Sequence, residues 1–242
     1  MLKQKNKKEK NVENETSKKL VHQIIWYTII FSIIGLLIET IFCYLTTGVI
    51  ESRKGLIWGP FCPVYGVGAT ILIILLEKYK NNPIKLFIIG SIMGNIIEYL
   101  LSYILEAIYG VRFWDYAYVD LNLNGRICIR YSIFWGMLAV ILIKLVKPYI
   151  DKIINKIPNL KPLNISIIIL LIIDCVATVW AINTYQNRVL GEYYNIENTN
   201  QTKLKYYIEE KLFSNDKMEK TFPNLRYTDE FGKEHYLRDM IN

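Results

Sequence analysis

The chain has 242 residues, of which 52% are hydrophobic and only 21% are charged, and its mean hydropathy is +0.20. The apolar residues fall in long runs, which argues against a disordered protein, a secreted disulfide scaffold and a cytosolic enzyme. The net charge of +7 would favour nucleic acid as a partner of a soluble protein. Here lysines flank the apolar runs, so they indicate the cytoplasmic side of a membrane, with the lipid bilayer and no nucleic acid as the expected partner.

Five apolar segments predict transmembrane helices, because a helix needs roughly 20 mostly apolar residues to span a bilayer. They cover residues 24–46, 62–76, 86–108, 131–149 and 165–185. The second is short unless the loop before it dips into the membrane. The expected fold class is an all-α membrane protein with about five transmembrane helices, re-entrant or interfacial outer loops and a small C-terminal lobe outside the membrane. No long internal repeat is apparent.

The distribution of charge predicts three regions and one orientation. Residues 1–22 are expected to form a disordered basic cytoplasmic tail, residues 23–186 a five-span membrane domain, and residues 187–242 a small extracytoplasmic tail or lobe. Lysines concentrate in alternate loops, which places the N-terminus in the cytoplasm and the C-terminus outside a multi-pass protein of the cell membrane. Residues 148–162 have the spacing of an amphipathic interfacial segment, and residues 203–213 that of a short helix in the tail.

Three acidic residues stand out within the predicted spans, where charge is costly and is often functional. Glu106, at the end of the third span, is expected to be interfacial. Glu39 and Glu98 share a helix face with small and polar residues, which predicts that both point towards other helices rather than towards lipid. Asp174 lies near the middle of the fifth span. For each of the three, a purely structural hydrogen bond to a neighbouring helix remains the alternative. It is the favoured interpretation for Asp174.

Two irregular stretches are expected on the outer face. Residues 53–66 combine three glycines, two prolines and several aromatic residues, which favours a re-entrant or interfacial loop over an ordinary external one. Residues 112–128 contain a Trp-Asp-Tyr segment and an Asn-Gly turn signal followed by Arg126. We predict that Glu39 and Arg126 form one buried polar site under the loop of residues 59–66, with Glu98 facing the same space.

The sequence offers little support for metal or cofactor chemistry. The four cysteines are widely spaced, and both histidines lie outside the predicted spans, so a metal site is not expected. No phosphate-binding GxxxxGK[ST] motif occurs, and no cofactor is expected. Cys62 and Cys128 both belong to outer motifs. They are expected near the outer surface, where a disulfide between them is a minority alternative.

The outer motifs together resemble the ABC-transporter type IV permease family of bacterial membrane proteins. The resemblance covers residues 25–149 and rests on the following features: the Ile-Gly-Leu-Leu-Ile-Glu segment ending at Glu39, Arg-Lys-Gly-Leu at 53–56, residues 59–66, Glu98, Trp-Asp-Tyr at 114–116, residues 122–128 and Trp-Gly at 135–136. It implies a transport function. Because the chain has no nucleotide-binding motif, a cytoplasmic ATPase subunit would have to supply the energy.

Three functions remain open at this point. The first is a permease-like subunit with an outward-facing polar cavity and an unknown substrate. The second is a structural or sensor protein with a partner-binding tail. The third is an intramembrane enzyme acting on lipid or envelope headgroups, which lacks a visible pair of nucleophile and base. The candidate substrate-binding residues are Glu39, Arg53, Tyr65, Glu98, Trp114, Asp115, Asn124 and Arg126.

Overall fold

The computed structural model describes residues 2–109, 114–194, 203–229 and 233–240. Six long or medium helices form most of it: α1 (Leu2–Thr47), α2 (Pro63–Leu76), α3 (Pro83–Tyr109), α4 (Ile129–Ile141), α5 (Lys147–Ile154) and α6 (Lys161–Tyr193). Two short antiparallel strand pairs lie outside the long helices: β1 (Asn122–Leu123) with β2 (Ile127–Cys128), and β3 (Arg226–Thr228) with β4 (Glu234–Tyr236). The C-terminal lobe adds α7 (Lys203–Leu212) and α8 (Asn215–Thr221). The prediction of an all-α membrane protein is confirmed.

Four helical segments are long and apolar enough to cross a membrane by length and composition, among the described residues: Glu15–Thr47, Pro83–Ile104, Ile129–Ile154 and Lys161–Tyr193. The third of these combines α4 and α5, which a π-helical turn over Leu142–Val146 joins just before Pro148. Proline has no N–H to donate to the residue one turn back, which favours such a local change of hydrogen bonding.

The second predicted span is different. Its helix, α2, has only 14 residues, or about 21 Å, which is shorter than the hydrocarbon core. It begins deep beside α1, because the Cys62 N–H donates to the Ser32 carbonyl oxygen at 3.1 Å. Ser32 lies about 22 Å along the helix axis from Thr47, the last residue of α1. Residues 48–62 therefore run back along α1 over that distance, so the segment between α1 and α3 consists of a loop followed by a short helix.

Hydrogen bonds order the loop of residues 48–62. Its ends close on each other, with the Gly55 N–H bonded to the Phe61 carbonyl oxygen at 2.9 Å. Helix α6 provides acceptors for two more of its N–H groups, since Ile57 donates to Thr178 at 2.9 Å and Trp58 donates to Asp174 at 3.1 Å. The irregular, hydrogen-bonded backbone predicted for residues 53–66 is present from residue 53 to 62, and its position relative to the membrane stays a prediction. Asp174 accepts a structural hydrogen bond, the role favoured from the sequence.

The packing divides the membrane domain into two antiparallel hairpins, α1 with α2 and α3 with α4. Glycines allow the close approach within each hairpin. A side chain at Gly35 would collide with Tyr65, and one at Gly94 would collide with Trp135. The small-residue faces predicted for these helices therefore do pack against neighbouring helices. One hydrophobic core joins the two hairpins through residues such as Leu76, Leu86, Ala139 and Ile143.

The N-terminal segment is helical where the sequence predicts a disordered tail. Helix α1 begins at Leu2 and runs without interruption into the first span. Extending a helix that is already formed avoids the cost of nucleation. At the end of this segment His22 is buried and its Nδ1 lies 3.1 Å from Asn164 Oδ1 on α6, so this residue belongs to the packed domain.

Candidate functional site

The first polar cluster, which we call the Glu39 site, lies between α1 and the start of α2. The Tyr65 hydroxyl donates to Glu39 Oε2 at 2.5 Å. The other carboxylate oxygen of Glu39 has no hydrogen-bond partner within the described part of the chain, and the side chain is partly exposed. Arg53 lies close enough for the charge of Glu39 to act on it, and its Nη2 donates to Cys43 Sγ at 2.9 Å.

The second cluster, the Glu98 site, lies between α3 and α4. The Tyr116 hydroxyl donates to one carboxylate oxygen of Glu98 at 2.8 Å, and Trp135 Nε1 donates to the other at 2.7 Å. Only 7% of Glu98 is exposed. The ring of Tyr116 stacks on that of Tyr131, with 4.6 Å between centroids. Burial and the bond to Glu98 raise the pKa of the Tyr116 phenol, so it remains a donor at neutral pH.

The third cluster surrounds Arg126. Its guanidinium donates to Ser102 Oγ at 2.9 Å and forms a salt bridge with Glu106, both on α3. It also lies 5.7 Å and 5.6 Å from the ring centroids of Tyr99 and Tyr103. Only 7% of Arg126 is exposed, so a counter-charge and two aromatic faces compensate for its removal from water.

The predicted pairing of Glu39 with Arg126 is wrong. In the described residues Arg126 is paired with Glu106, while Glu39 bonds Tyr65. The physical reason is proximity within one hairpin, because Glu106 lies one helical turn beyond Ser102 on the same face of α3. The position of Glu106 at the end of a predicted span indicates an interfacial residue, and only its spacing from Ser102 points to a pairing role.

Three further candidate residues, Trp114, Asp115 and Asn124, make hydrogen bonds around the turn that carries Arg126. Trp114 Nε1 donates to the Arg126 carbonyl oxygen at 3.0 Å. Asp115 accepts the Ala117 N–H at 2.8 Å, and Asn124 donates to the Tyr99 hydroxyl at 2.9 Å. Asn124 and Gly125 both have positive φ, at 55° and 69°. This is the turn that Asn-Gly predicts.

The structure also shows the state of the cysteines, whereas part of the second irregular stretch lies outside the described residues. All four cysteines are free thiols, so the Cys62–Cys128 disulfide is not present. Cys62 lies beside Ser32 of α1, to whose carbonyl oxygen its N–H donates, and the expected position of Cys62 and Cys128 near the outer surface stays a prediction. Arg112 and Phe113, which belong to the second outer stretch, lie outside the described residues. No group of three or more His, Cys, Asp or Glu residues within the described ranges is placed to hold a metal ion.

The C-terminal lobe packs on the C-terminal half of α6 and on the loop of residues 48–62. Phe213, Met218 and Leu237 from the lobe form one core with Tyr185 of α6 and Ile57 of the loop. Two hydrogen bonds join the same surfaces. Arg238 Nη1 donates to Glu51 Oε1 at 2.9 Å, and the Ser52 hydroxyl donates to the Thr221 carbonyl oxygen at 2.8 Å. Sequence patterns do not indicate these long-range contacts.

The sequence did not reveal a fourth, partly buried polar cluster around Lys147. Lys147 lies 2.6 Å from Asp151 and 3.3 Å from Glu77, and Tyr27 donates a hydrogen bond to Asp151. This cluster joins α1, α5 and the end of α2 on the side opposite the Glu39 site. Its lysine was interpreted only as part of the flanking basic charge.

The comparison with protein families decides the identity of the membrane domain. A sequence model of the family described as "Putative ABC-transporter type IV" matches residues 26–179, more than half of the chain. The chain belongs to this family. The match contains the Glu39, Glu98 and Arg126 clusters, whereas α7, α8 and the β3–β4 pair lie beyond it. No curated protein and no solved structure matches the chain. This member of the ABC-transporter type IV family is thus a multi-pass, ABC-transporter-related membrane protein.

Proposed function

We propose that the protein is a permease-like subunit of an ABC-type transporter that admits a polar substrate through the Glu39 site. The observation that carries the proposal is the Glu39 carboxylate itself, which is directed between helices, bonded to Tyr65 and left with one open oxygen. A charged group in a span is costly unless it serves binding or pairing. Arg53 adds a positive charge beside it. In this proposal Glu39, Arg53 and Tyr65 meet the substrate.

The other candidates support this site from the second hairpin. Glu98 and Arg126 have their hydrogen bonds filled by neighbouring side chains. Trp114, Asp115 and Asn124 fix the outer turn that supplies Arg126. These five residues act in the proposal by shaping the outer end of the second hairpin.

The proposed orientation has the N-terminus in the cytoplasm and the C-terminus outside. Counting the loop of residues 48–62 with α2 as one pass gives five passes, although only four helices are full length. Reporter fusions after residues 80, 156 and 242 should read inside, inside and outside, because lysines concentrate in the first two regions. An inside reading after residue 242 would contradict the odd number of passes.

The energy source in this proposal is a separate cytoplasmic ATPase that carries the phosphate-binding motif missing from this chain. Affinity purification in mild detergent should capture such an ATPase, identified by mass spectrometry. The inner turn after α5 is the contact surface we expect, so Lys152→Glu with Lys156→Glu should reduce the capture. Glu39→Gln, at the outer site, is the matched control and should leave the capture unchanged. Absence of any ATPase in wild-type and Glu39→Gln samples would overturn the permease proposal.

A structural or sensor role is the second candidate. It is favoured by the filled hydrogen bonds of Glu98 and Arg126 and by the docking of the C-terminal lobe on the loop. A protein of this kind would tolerate Glu39→Gln without loss of any transport-linked phenotype.

A further inference from the structure

The two hairpins carry the same residues at the same spacing. Residues 29–39 read Ile-Ile-Phe-Ser-Ile-Ile-Gly-Leu-Leu-Ile-Glu, and residues 88–98 read Ile-Ile-Gly-Ser-Ile-Met-Gly-Asn-Ile-Ile-Glu. Seven of these eleven positions are identical, including the serine, the second glycine of the later copy and the glutamate. Apolar helices share isoleucines easily, but a shared Ser-x2-Gly-x3-Glu spacing is not a consequence of composition.

The structure gives the shared residues the same contacts. In the first hairpin Gly35 lies under Tyr65, and Gly66 lies against Ser32 Oγ. In the second hairpin Gly94 lies under Trp135, and Gly136 lies against Ser91 Oγ. Tyr65-Gly66 and Trp135-Gly136 are therefore equivalent pairs, and each aromatic side chain donates to the glutamate of its own hairpin.

The direction of the helices is also the same in both copies. Each hairpin is antiparallel, and a short turn over residues 77–82 connects α2 to α3, so α1 and α3 run in one direction. This is the arrangement of a parallel repeat, whose copies are related by an axis along the membrane normal. The repeat is not apparent along the chain because the Ser-x2-Gly-x3-Glu segment and the aromatic-glycine pair are separated by a loop of different length in each copy.

The loop lengths differ in a way that changes the two carboxylate sites. The second copy has eleven more residues between its glutamate and its aromatic donor than the first. Its longer connection supplies Tyr116, which donates to Glu98 and stacks on Tyr131. Tyr131 precedes Trp135 by four residues, as Phe61 precedes Tyr65 in the sequence, although Tyr131 lies within α4 and Phe61 lies just before α2. No aromatic ring stacks on Phe61 among the described residues, and Glu39 has one donor where Glu98 has two.

We propose that the membrane domain is a tandem pair of one helical hairpin, and that the Glu39 site is the open counterpart of the Glu98 site. In the second copy Tyr116 occupies the position that a ligand takes in the first. The ligand class follows from Tyr116 itself: a small molecule with a hydroxyl group on an aromatic ring, whose O–H donates to the free oxygen of Glu39. This inference rests on the proposed binding role of Glu39 and gives it a substrate class.

The probe is 4-fluorophenol, observed by fluorine NMR with the purified full-length protein in lipid nanodiscs. The matched probe 4-fluoroanisole has the same ring without a donor, and it reports partition into lipid. The wild-type protein should bind 4-fluorophenol at one site and 4-fluoroanisole no better than empty nanodiscs. Glu39→Gln should weaken the binding about tenfold, the effect of losing a charge-assisted hydrogen bond worth about 1.4 kcal/mol.

Variants of Tyr116 test the equivalence of the two sites. Tyr116→Ala removes the built-in ring, and a cavity lined by apolar groups can take up the ring that was deleted. This variant should bind two molecules of 4-fluorophenol, and the phenol should raise its melting temperature towards that of the wild type. Tyr116→Phe keeps the ring and folds with a smaller change, so it should bind only one molecule.

The outcomes separate this inference from the permease proposal. Equal binding of the two probes by the wild type would show that the Glu39 site takes no hydroxyl donor and would overturn the inference. One molecule bound by Tyr116→Ala, with no thermal rescue, would overturn the equivalence of the sites. Neither result affects capture of an ATPase, which tests the permease proposal independently.

Discussion

Gly66→Ala should destabilise the protein by about 3 kcal/mol, because overpacking at a rigid contact costs roughly 1–3 kcal/mol and occasionally more. A Cβ atom at this position would collide with the Thr28 carbonyl oxygen and Ser32 Oγ. The backbone of α1 cannot move aside easily, because the Ser32 carbonyl oxygen also accepts the N–H that starts α2. The measurement is the free energy of unfolding in mixed micelles.

Gly68→Ala is the matched control in the same helix. A Cβ atom there meets open space, so the substitution should stabilise the helix by about 0.5–1 kcal/mol. Equal losses of stability from the two variants would mean that α2 does not pack against α1 at Gly66.

Glu106→Gln should lower the free energy of unfolding by about 3 kcal/mol, since it leaves the buried Arg126 guanidinium without a counter-charge. Arg126→Met removes that charge and should rescue part of the loss, so the double variant should be less destabilised than the sum of the single variants. A double-mutant cycle in micelles measures this coupling. Purely additive effects would contradict a buried ion pair.

Two control variants show whether the coupling is specific to the Glu106–Arg126 pair. Glu15→Gln breaks an exposed ion pair with Lys18 and should change stability by less than about 0.5 kcal/mol. Glu39→Gln combined with Arg126→Met should be additive, because no contact joins these residues and distant sites do not couple.

The sequence was sufficient to predict features that depend on local pattern. The apolar runs locate every long helix, and the Asn-Gly dipeptide predicts the turn at Asn124. The small-residue faces predict the packing of Gly35 and Gly94. These predictions succeed because hydrophobicity, turn conformation and side-chain volume are properties of neighbouring residues.

Features that depend on distant partners could not be predicted. The choice of Glu106 over Glu39 as the partner of Arg126 depends on which helices form one hairpin. The depth of Cys62 depends on how far the loop before it descends along α1. The acceptors for that loop come from Asp174 and Thr178, more than a hundred residues away.

The docking of the C-terminal lobe has a consequence for how the chain matures during synthesis. Arg238 follows its partner Glu51 by 187 residues, and Thr221 follows Ser52 by 169. At a ribosomal rate of about 5–20 residues per second, the loop of residues 48–62 waits roughly 10–40 s for these partners. During that interval the N-terminal hairpin is in the bilayer while Ile57 lacks its final cover. The contacts between the lobe and this loop thus form only after the lobe has been synthesised. Truncation of the lobe should accordingly be recognised by membrane quality-control proteases rather than yielding a smaller stable protein.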